Sequence, residues 1–162
     1  MTRKQPDRPR ASVAFLLARV GARAAQEFAK ALLPLKLTPA DAGILRLLSH
    51  APAISQQDLA RKLDMHASRL VAVIDALEER ALVIREANAQ DRRIYSLRLT
   101  DAGEESLRGI GEVARVHNEA ICFGLDPAER AGLAGLLQRI ADRHELTPGV
   151  HPGYKDLRVA PK

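Results

Sequence analysis

The stretch from Ser55 to Thr100 reads SQQDLARKLDMHASRLVAVIDALEERALVIREANAQDRRIYSLRLT and decides the fold. Ser55 followed by Asp58 is typical of a helix start, because a serine oxygen accepts a hydrogen bond from an exposed backbone N–H of the first turn. Apolar residues then recur on one helical face: Leu59, Ala60 and Leu63. We therefore predict a short helix that residues 64–66 separate from a second one.

A second helix is predicted over Ala67–Arg80. Its apolar residues repeat at i, i+3, i+4 and i+7 and form one buried stripe: Leu70, Val73, Ile74 and Leu77. In a helix-turn-helix the second helix lies in the DNA major groove, with its N-terminal residues against base edges. We predict DNA contacts from this part of the helix and the residue before it: His66, Ala67, Ser68, Arg69, Val71 and Ala72. Taken alone, this helix is also compatible with an ordinary amphipathic helix that has a solvated face.

A polar hairpin follows this helix. Leu82–Ile84 and Ile94–Leu99 have the β-branched or alternating character of strands, and the polar segment Glu86–Arg93 between them predicts a protruding tip. Arg92 and Arg93 suit a phosphate or minor-groove contact, and Asp91 is close enough to hold one guanidinium in place. A solvated charged hairpin is the alternative. The order of two helices and a hairpin predicts a winged helix, which is a module that binds duplex DNA.

Four segments resemble the MarR family (multiple antibiotic resistance regulators): LTPADAGILRLL, SQQDLARKL, LVAVIDALEERALVIRE and QDRRIYSLRLTDAGEESL. The resemblance covers residues 37–107, and its most specific elements are the D-x-R of Asp91 and Arg93 and the L-T-x-x-G of residues 99–103. It implies that Arg93 enters the minor groove and that Asp91 orients it. The chain departs from the family pattern at Ala81, where the family usually has glycine before the first wing strand.

The composition limits the classes of protein that fit. The chain has 162 residues and a formal net charge of +5, which is compatible with nucleic-acid binding. Its aromatic content of 3%, without tryptophan, argues against binding of single strands by base stacking. The single cysteine excludes an internal disulfide framework. No apolar run approaches a membrane span of about 20 residues. We predict a soluble cytoplasmic protein that does not contact a membrane.

The helices outside the hairpin carry more apolar surface than a small winged helix needs. We predict a mainly α fold with a small β-hairpin wing, in which the terminal helices form a homodimer interface. Helix caps are predicted at Ser12, Thr38, Thr100 and Asp126. The predicted parts are a flexible basic arm (1–10), an N-terminal dimerisation helix (11–36), the winged helix-turn-helix DNA-binding domain (37–100), C-terminal dimerisation helices (101–146) and an irregular tail (147–162).

The alternative for the terminal helices is that they fold back onto their own domain. The resemblance implies instead a twofold dimer of interlocking terminal helices. A dimer of that kind presents two reading helices about 34–36 Å apart, so its operator is a pseudo-palindrome.

The resemblance also implies a small aromatic carboxylate or phenolic ligand that weakens operator binding and releases a repressed gene. Candidate ligand-binding residues are the cationic or donor side chains of Arg19, Arg23, His50 and His117. The alternative interpretations are solvated arginines and a hydrogen-bonded histidine in a helix interface.

Other functions leave weaker signals in the sequence. Cys122 lies between apolar neighbours and is predicted to be buried rather than a redox sensor. No histidine pair has the i, i+4 spacing of a zinc site. The sequence lacks a nucleophile–base pair and a phosphate loop, so we predict no cofactor, no metal and no enzymatic activity. The main prediction is a homodimeric regulator that acts as a repressor. The alternatives are a protein–protein interaction module and a redox- or metal-responsive regulator.

Overall fold

The computed structural model describes residues 11–63, 65–87 and 95–146 of the chain. The helices are α1 (Val13–Leu32), α2 (Pro39–His50), α3 (Gln56–Lys62), α4 (Ala67–Glu79), α5 (Asp101–Ile121) and α6 (Pro127–Arg143). The strands are β1 (Ile54–Ser55), β2 (Val83–Ala87) and β3 (Tyr95–Leu99), and a short 3-10 turn follows α1. The predicted mainly α fold with a small hairpin is confirmed.

Five of these helices begin where the sequence predicts a cap. In each case the side chain of the capping residue accepts a hydrogen bond from the backbone N–H three residues later: Ser12, Thr38, Ser55, Thr100 and Asp126. In α2 and α6 the carboxylate of that later residue also accepts a hydrogen bond from the backbone N–H of the cap. A cap of this kind contributes about 1 kcal/mol to helix stability.

Most of the hydrophobic core lies in the central lobe, which we define as residues 37–100, and Leu32 of α1 and Ile110 of α5 complete it. Leu45, Leu59 and Leu70 have no exposed surface, and neither do Leu77 and Leu97. The apolar stripes of α2, α3 and α4 and the inner face of the sheet therefore converge on one cluster. Full burial of a leucine stabilises a fold by roughly 1.5–3 kcal/mol.

Over the described residues the sheet has three strands in the order β1-β3-β2, all antiparallel. The strand β1 was not predicted from the sequence. The prediction that the first wing strand ends at Ile84 was wrong, because β2 continues to Ala87. Glu86 therefore lies in the strand rather than in the hairpin tip, opposite Ser96, and its carboxylate pairs with the neighbouring Arg98 at 3.3 Å. The structure does not describe residues 88–94.

The start of α5 packs directly against the entry to the wing. A Cβ added to Gly103 would lie 2.0 Å from the carbonyl oxygen of Leu82, so only glycine fits at this contact. Just before Leu82, Ala81 has a φ of +53°, a backbone conformation that favours glycine. The hydroxyl of Thr100 donates a hydrogen bond to the Ala81 carbonyl at 2.5 Å and so links the two segments.

The terminal helices leave much of their apolar surface uncovered. The N-terminal half of α1 exposes large apolar side chains: Val13, Phe15, Leu16, Leu17 and Val20. The helix α6 likewise exposes Leu133, Leu136, Leu137 and Ile140. Within the described parts of the chain, no helix is long and apolar enough to cross a membrane.

Candidate nucleic-acid interface and ligand cleft

The helix α4, which we call the recognition helix, is anchored on one side and open on the other. Leu70, Ile74 and Leu77 are fully buried against the core. The residues that the sequence predicted as DNA contacts are all exposed: His66, Ala67, Ser68, Arg69, Val71 and Ala72. The helix ends at Glu79, one residue before the predicted end. Its small and polar N-terminal half therefore forms a ridge that has room to approach another surface.

The connection between α3 and the recognition helix is short and fixed by the backbone. The N–H of Met65 donates to the carbonyl of Ala60 at 3.0 Å, and the Met65 side chain packs partly buried against the core. His66 caps α4 through its backbone carbonyl, which accepts a hydrogen bond from the N–H of Leu70 at 3.1 Å. This geometry gives the two helices the tight turn of a helix-turn-helix.

The wing consists of β2, β3 and the residues between them. The predicted tip residues Asp91, Arg92 and Arg93 lie outside the described residues, so their role stays a prediction. At the last described pair of the hairpin, Ala87 lies opposite Tyr95, whose side chain is exposed. Because side chains alternate along a strand, Tyr95 lies on the same face as buried Leu97. The sequence analysis did not single out Tyr95, although the alternation of β3 signals its position.

The base of the wing is joined to the recognition helix through Arg85. The Arg85 Nη2 atom lies 2.5 Å from Asp75 Oδ1, the Nη1 atom pairs with the Glu78 carboxylate, and Nε donates to Gln56 Oε1 at 3.2 Å. The backbone N–H of Arg85 donates to Glu78 Oε1 at 3.3 Å. We call these four contacts the Arg85 clamp. The sequence analysis did not identify it.

A cleft of about 510 Å³ opens between α1 and α5. It brings together two of the predicted ligand-binding residues, Arg23 and His117, over an apolar lining that includes Val113 and Ile121. The ring of His117 packs against Phe28, with ring centroids 5.5 Å apart.

The charge of this cleft is balanced rather than purely basic. Glu27 lines it, and its carboxylate lies 3.2 Å from Arg23 Nη1. The hydrogen bond from Lys30 lowers the pKa of Glu27 below its ordinary value, and the charges of Arg23 and His117 lower it further. A ligand carboxylate that binds Arg23 therefore competes with an ionised protein carboxylate.

The other two predicted ligand residues lie elsewhere. The guanidinium of Arg19 lies over the ring of Phe15, 5.6 Å from its centroid. His50 is exposed at the end of α2. The structure therefore separates these two side chains from the cleft that Arg23 and His117 share.

Cys122 is only partly buried, so the prediction that it is a buried apolar residue was wrong. It is the residue that follows the last turn of α5, and its Sγ is 3.9 Å from Asn118 Oδ1. Among the residues that the structure describes, no cluster of histidine, cysteine, aspartate or glutamate side chains is suited to hold a metal ion.

Comparison with known proteins gives a consistent result. The sequence profile of the MarR family matches residues 35–94. A putative transcriptional regulatory protein for the hcr operon of Thauera aromatica is 34% identical over 112 residues, which cover 69% of this chain and 68% of that protein.

Two solved structures share the fold. The transcriptional repressor CouR, bound to a 23-mer DNA duplex, superposes with a TM-score of 0.72 and 29% identity over 86% of this chain and 99% of that one. The MarR family protein Rv2887 of Mycobacterium tuberculosis, in complex with p-aminosalicylic acid, superposes with a TM-score of 0.66 and 27% identity over 81% of this chain and 99% of that one.

Proposed function

This chain belongs to the MarR family of transcriptional regulators, and on that premise we propose that it is a homodimeric repressor that binds a pseudo-palindromic operator. The observation that carries the proposal is the exposed N-terminal half of the recognition helix above its fully buried apolar side. The similarity of the chain to a transcriptional regulatory protein agrees with the lack of catalytic motifs in its sequence.

In the proposed complex the recognition helix lies in the major groove. Its contacting residues are His66, Ala67, Ser68, Arg69, Val71 and Ala72. Arg69 is the best candidate for reading guanine, because a guanidinium reaches both acceptors on its major-groove edge. Arg92 and Arg93 contact the backbone or the minor groove from the wing, with Asp91 orienting Arg93. The similarity to CouR, which was solved on DNA, supports this arrangement.

The proposed dimer is formed by the terminal helices. Their exposed apolar side chains on α1 and α6 would be covered by the same helices of a second copy. A twofold axis between the copies presents two recognition helices about one turn of DNA apart, which is the spacing that a pseudo-palindrome matches.

The proposed effector is a small aromatic acid or phenol that binds in the cleft between α1 and α5. Arg23 and His117 supply a cation and a ring there, and the apolar lining suits an aromatic body. The complex of Rv2887 with p-aminosalicylic acid supports this ligand class. Binding releases DNA only if the ligand has a higher affinity for the conformation that does not fit the operator.

A gel shift against the chain's own upstream region tests the DNA proposal. We expect a discrete complex that resists unrelated competitor DNA, and an Arg93→Ala variant that binds more weakly on all duplexes, with a salt slope reduced by about one unit. Arg69→Ala should instead change the preference at particular base pairs. If no competitor-resistant complex forms, the alternative of a protein–protein interaction module is favoured.

A thermal-shift screen of aromatic carboxylates and phenols, paired with DNA release, tests the ligand proposal. We expect Arg23→Ala to weaken binding of the active compound, while Arg19→Ala serves as a matched control because Arg19 stacks on Phe15 instead. Release by an oxidant or a metal salt, without any response to these compounds, would favour the redox- or metal-responsive alternative.

A further inference from the structure

We propose that Arg85 is a positioning residue for DNA recognition, which holds the recognition helix and the wing in one fixed relation so that both contact the same site. The inference rests on the proposed DNA-binding function. It means that sequence-specific DNA binding depends on a residue at the base of the wing that does not itself need to touch DNA.

The geometry of the Arg85 clamp is the first argument. The guanidinium uses all three of its nitrogen atoms, two on carboxylates of α4 and one on Gln56 at the start of α3. The Arg85 side chain is 18% exposed, while those of Asp75 and Glu78 are 51% and 39% exposed. A side chain this well covered and this fully bonded has one orientation, because the donors of a guanidinium lie in a rigid planar fork.

The position of β2 in the sheet is the second argument. It is an edge strand, since the order is β1-β3-β2, and within the described ranges only β3 pairs with it. Val83 is fully buried at the base of the wing, and beyond it β2 has no second strand among the described residues that would restrict its freedom to bend. The clamp bonds both the side chain and the backbone of Arg85 to the recognition helix, so it removes that freedom.

The third argument is that Arg85 is not placed as a DNA-contacting cation. Each of its three side-chain nitrogen atoms has a partner within the protein, and its side chain shares the inner face of the hairpin with Val83. Arg98 provides the contrast on the paired strand. It is 53% exposed, pairs with Glu86 across the ladder, and lies opposite Ile84 on the other face.

The experiment uses the full chain and a duplex that the wild-type chain has selected from a random library, with a scrambled duplex of equal length as the non-specific probe. We expect Arg85→Met to weaken binding of the selected duplex by about tenfold or more, while its affinity for the scrambled duplex changes by less than about twofold. Arg98→Met is the matched control, since it removes the same charge from the same hairpin. It should change both affinities by the same small factor.

Arg85→Lys is the conservative variant, and it keeps the positive charge but has only one nitrogen. We expect it to unfold within a few degrees of wild type and still lose most of the preference for the selected duplex. This variant decides the matter if Arg85→Met proves too unstable to assay.

A charge explanation is tested separately. Without Arg85 the carboxylates of Asp75 and Glu78 are unneutralised beside DNA, and their repulsion alone would weaken binding. The triple variant Arg85→Met, Asp75→Asn, Glu78→Gln removes both negative charges. We expect it to remain defective in preference, because the wing is still unclamped, and recovery of the wild-type preference would overturn the positioning role.

Two further outcomes separate this inference from the function on which it rests. A wild-type chain without preference for the selected duplex overturns the proposed DNA-binding function. A wild-type chain with that preference, matched by an Arg85→Met variant that retains it, overturns the positioning role alone.

Discussion

The central lobe and the terminal helices of this chain are built from the same kind of amphipathic helix, but the apolar sides are buried in the lobe and exposed in the terminal helices. In the lobe, the stripes of α2 and α4 are buried to the last atom at Leu45 and Leu70. In α6 the corresponding stripe is open, and Leu136 is 57% exposed. An apolar stripe therefore predicts that a surface will be buried, but not whether the same copy of the chain buries it.

The helix α1 has a buried apolar end and an exposed apolar end. Its C-terminal end is part of the core at Leu32, while Val13 at its other end is 69% exposed. The difference lies in the neighbours, because α5 packs against α1 around Phe28, whose ring centroid lies 5.5 Å from that of His117. A second copy in the proposed dimer would cover the apolar sides that the terminal helices leave exposed. Point substitutions in the lobe and in the terminal helices test this division.

Gly103→Ala tests how tightly the lobe is joined to α5. The new Cβ would meet the carbonyl oxygen of Leu82, so the backbone must move, and we expect a loss of about 3 kcal/mol in the free energy of unfolding. Gly111→Ala in the same helix is the control, because nothing lies within 4 Å of its Cβ position, and it should add about 1 kcal/mol. Chemical denaturation measures both. Equal effects would show that the contact at Gly103 is not limiting.

Leu136→Asp tests the dependence of the terminal helices on a second copy. A carboxylate in an apolar interface is costly, so we expect dimerisation to weaken by about 2 kcal/mol, or roughly thirtyfold. Analytical ultracentrifugation at several concentrations measures the shift. Ala131→Asp adds the same charge to α6 away from its apolar stripe and should leave the mass unchanged. A Leu136→Asp chain that dimerises like wild type would contradict the proposed interface.

Ala81→Gly tests the backbone conformation at the entry to the wing, inside the lobe. Ala81 has a positive φ, which costs an L-residue roughly 1 kcal/mol, so glycine should raise the free energy of unfolding by about that amount. The reverse is expected at Ala72, inside a helix, where glycine should lower it by about 1 kcal/mol. Thermal unfolding of the two variants gives the signs, and a loss of stability at both positions would refute the backbone argument.

The smallest effect concerns the connection between α5 and α6. The hydrogen bond from Arg130 lowers the pKa of Glu119 below its ordinary value, and Arg130 also donates to the Leu125 carbonyl at 3.0 Å. Because the folded-state pKa is lowered, this contribution is fully present above the ordinary pKa and is lost as the pH falls through the lower folded value.

Amide exchange of α6 across the acidic pH range measures this contribution. We expect protection of α6 to decline on acidification in the wild-type chain and to depend less on pH in Glu119→Gln. Glu105→Gln, which removes a partner of Arg108 within α5, should behave as wild type at α6. Parallel pH profiles for wild type and Glu119→Gln would rule out the contribution.

Local features of the fold were predictable from the sequence. Caps such as Thr38 and Asp126 depend on residues three positions apart, and the stripe of the recognition helix is a repeat within one element. The strand β1 was missed because its two residues, Ile54 and Ser55, become a strand only by pairing with distant β3. A segment of two residues carries no periodic pattern of its own.

The Arg85 clamp was missed for a related reason. Gln56 precedes Arg85 by 29 positions, and in the sequence a charged residue after an apolar run looks like the start of a polar tip. For the same reason the first wing strand was predicted to end at Ile84 instead of Ala87. The ligand candidates were identified in the sequence, but their grouping could not be predicted, because Arg23 and His117 share a cleft only through the packing of α1 against α5.

The carboxylate of Glu78 also affects the exposed edge of the sheet, which is formed by β2. The unpaired main-chain donors of an edge strand can bind a strand from another chain, which is the usual route to edge-to-edge aggregation. By accepting the amide of Arg85, Glu78 occupies one of the donors that an invading peptide needs. The edge of β2 therefore presents one main-chain donor fewer to a strand from another copy.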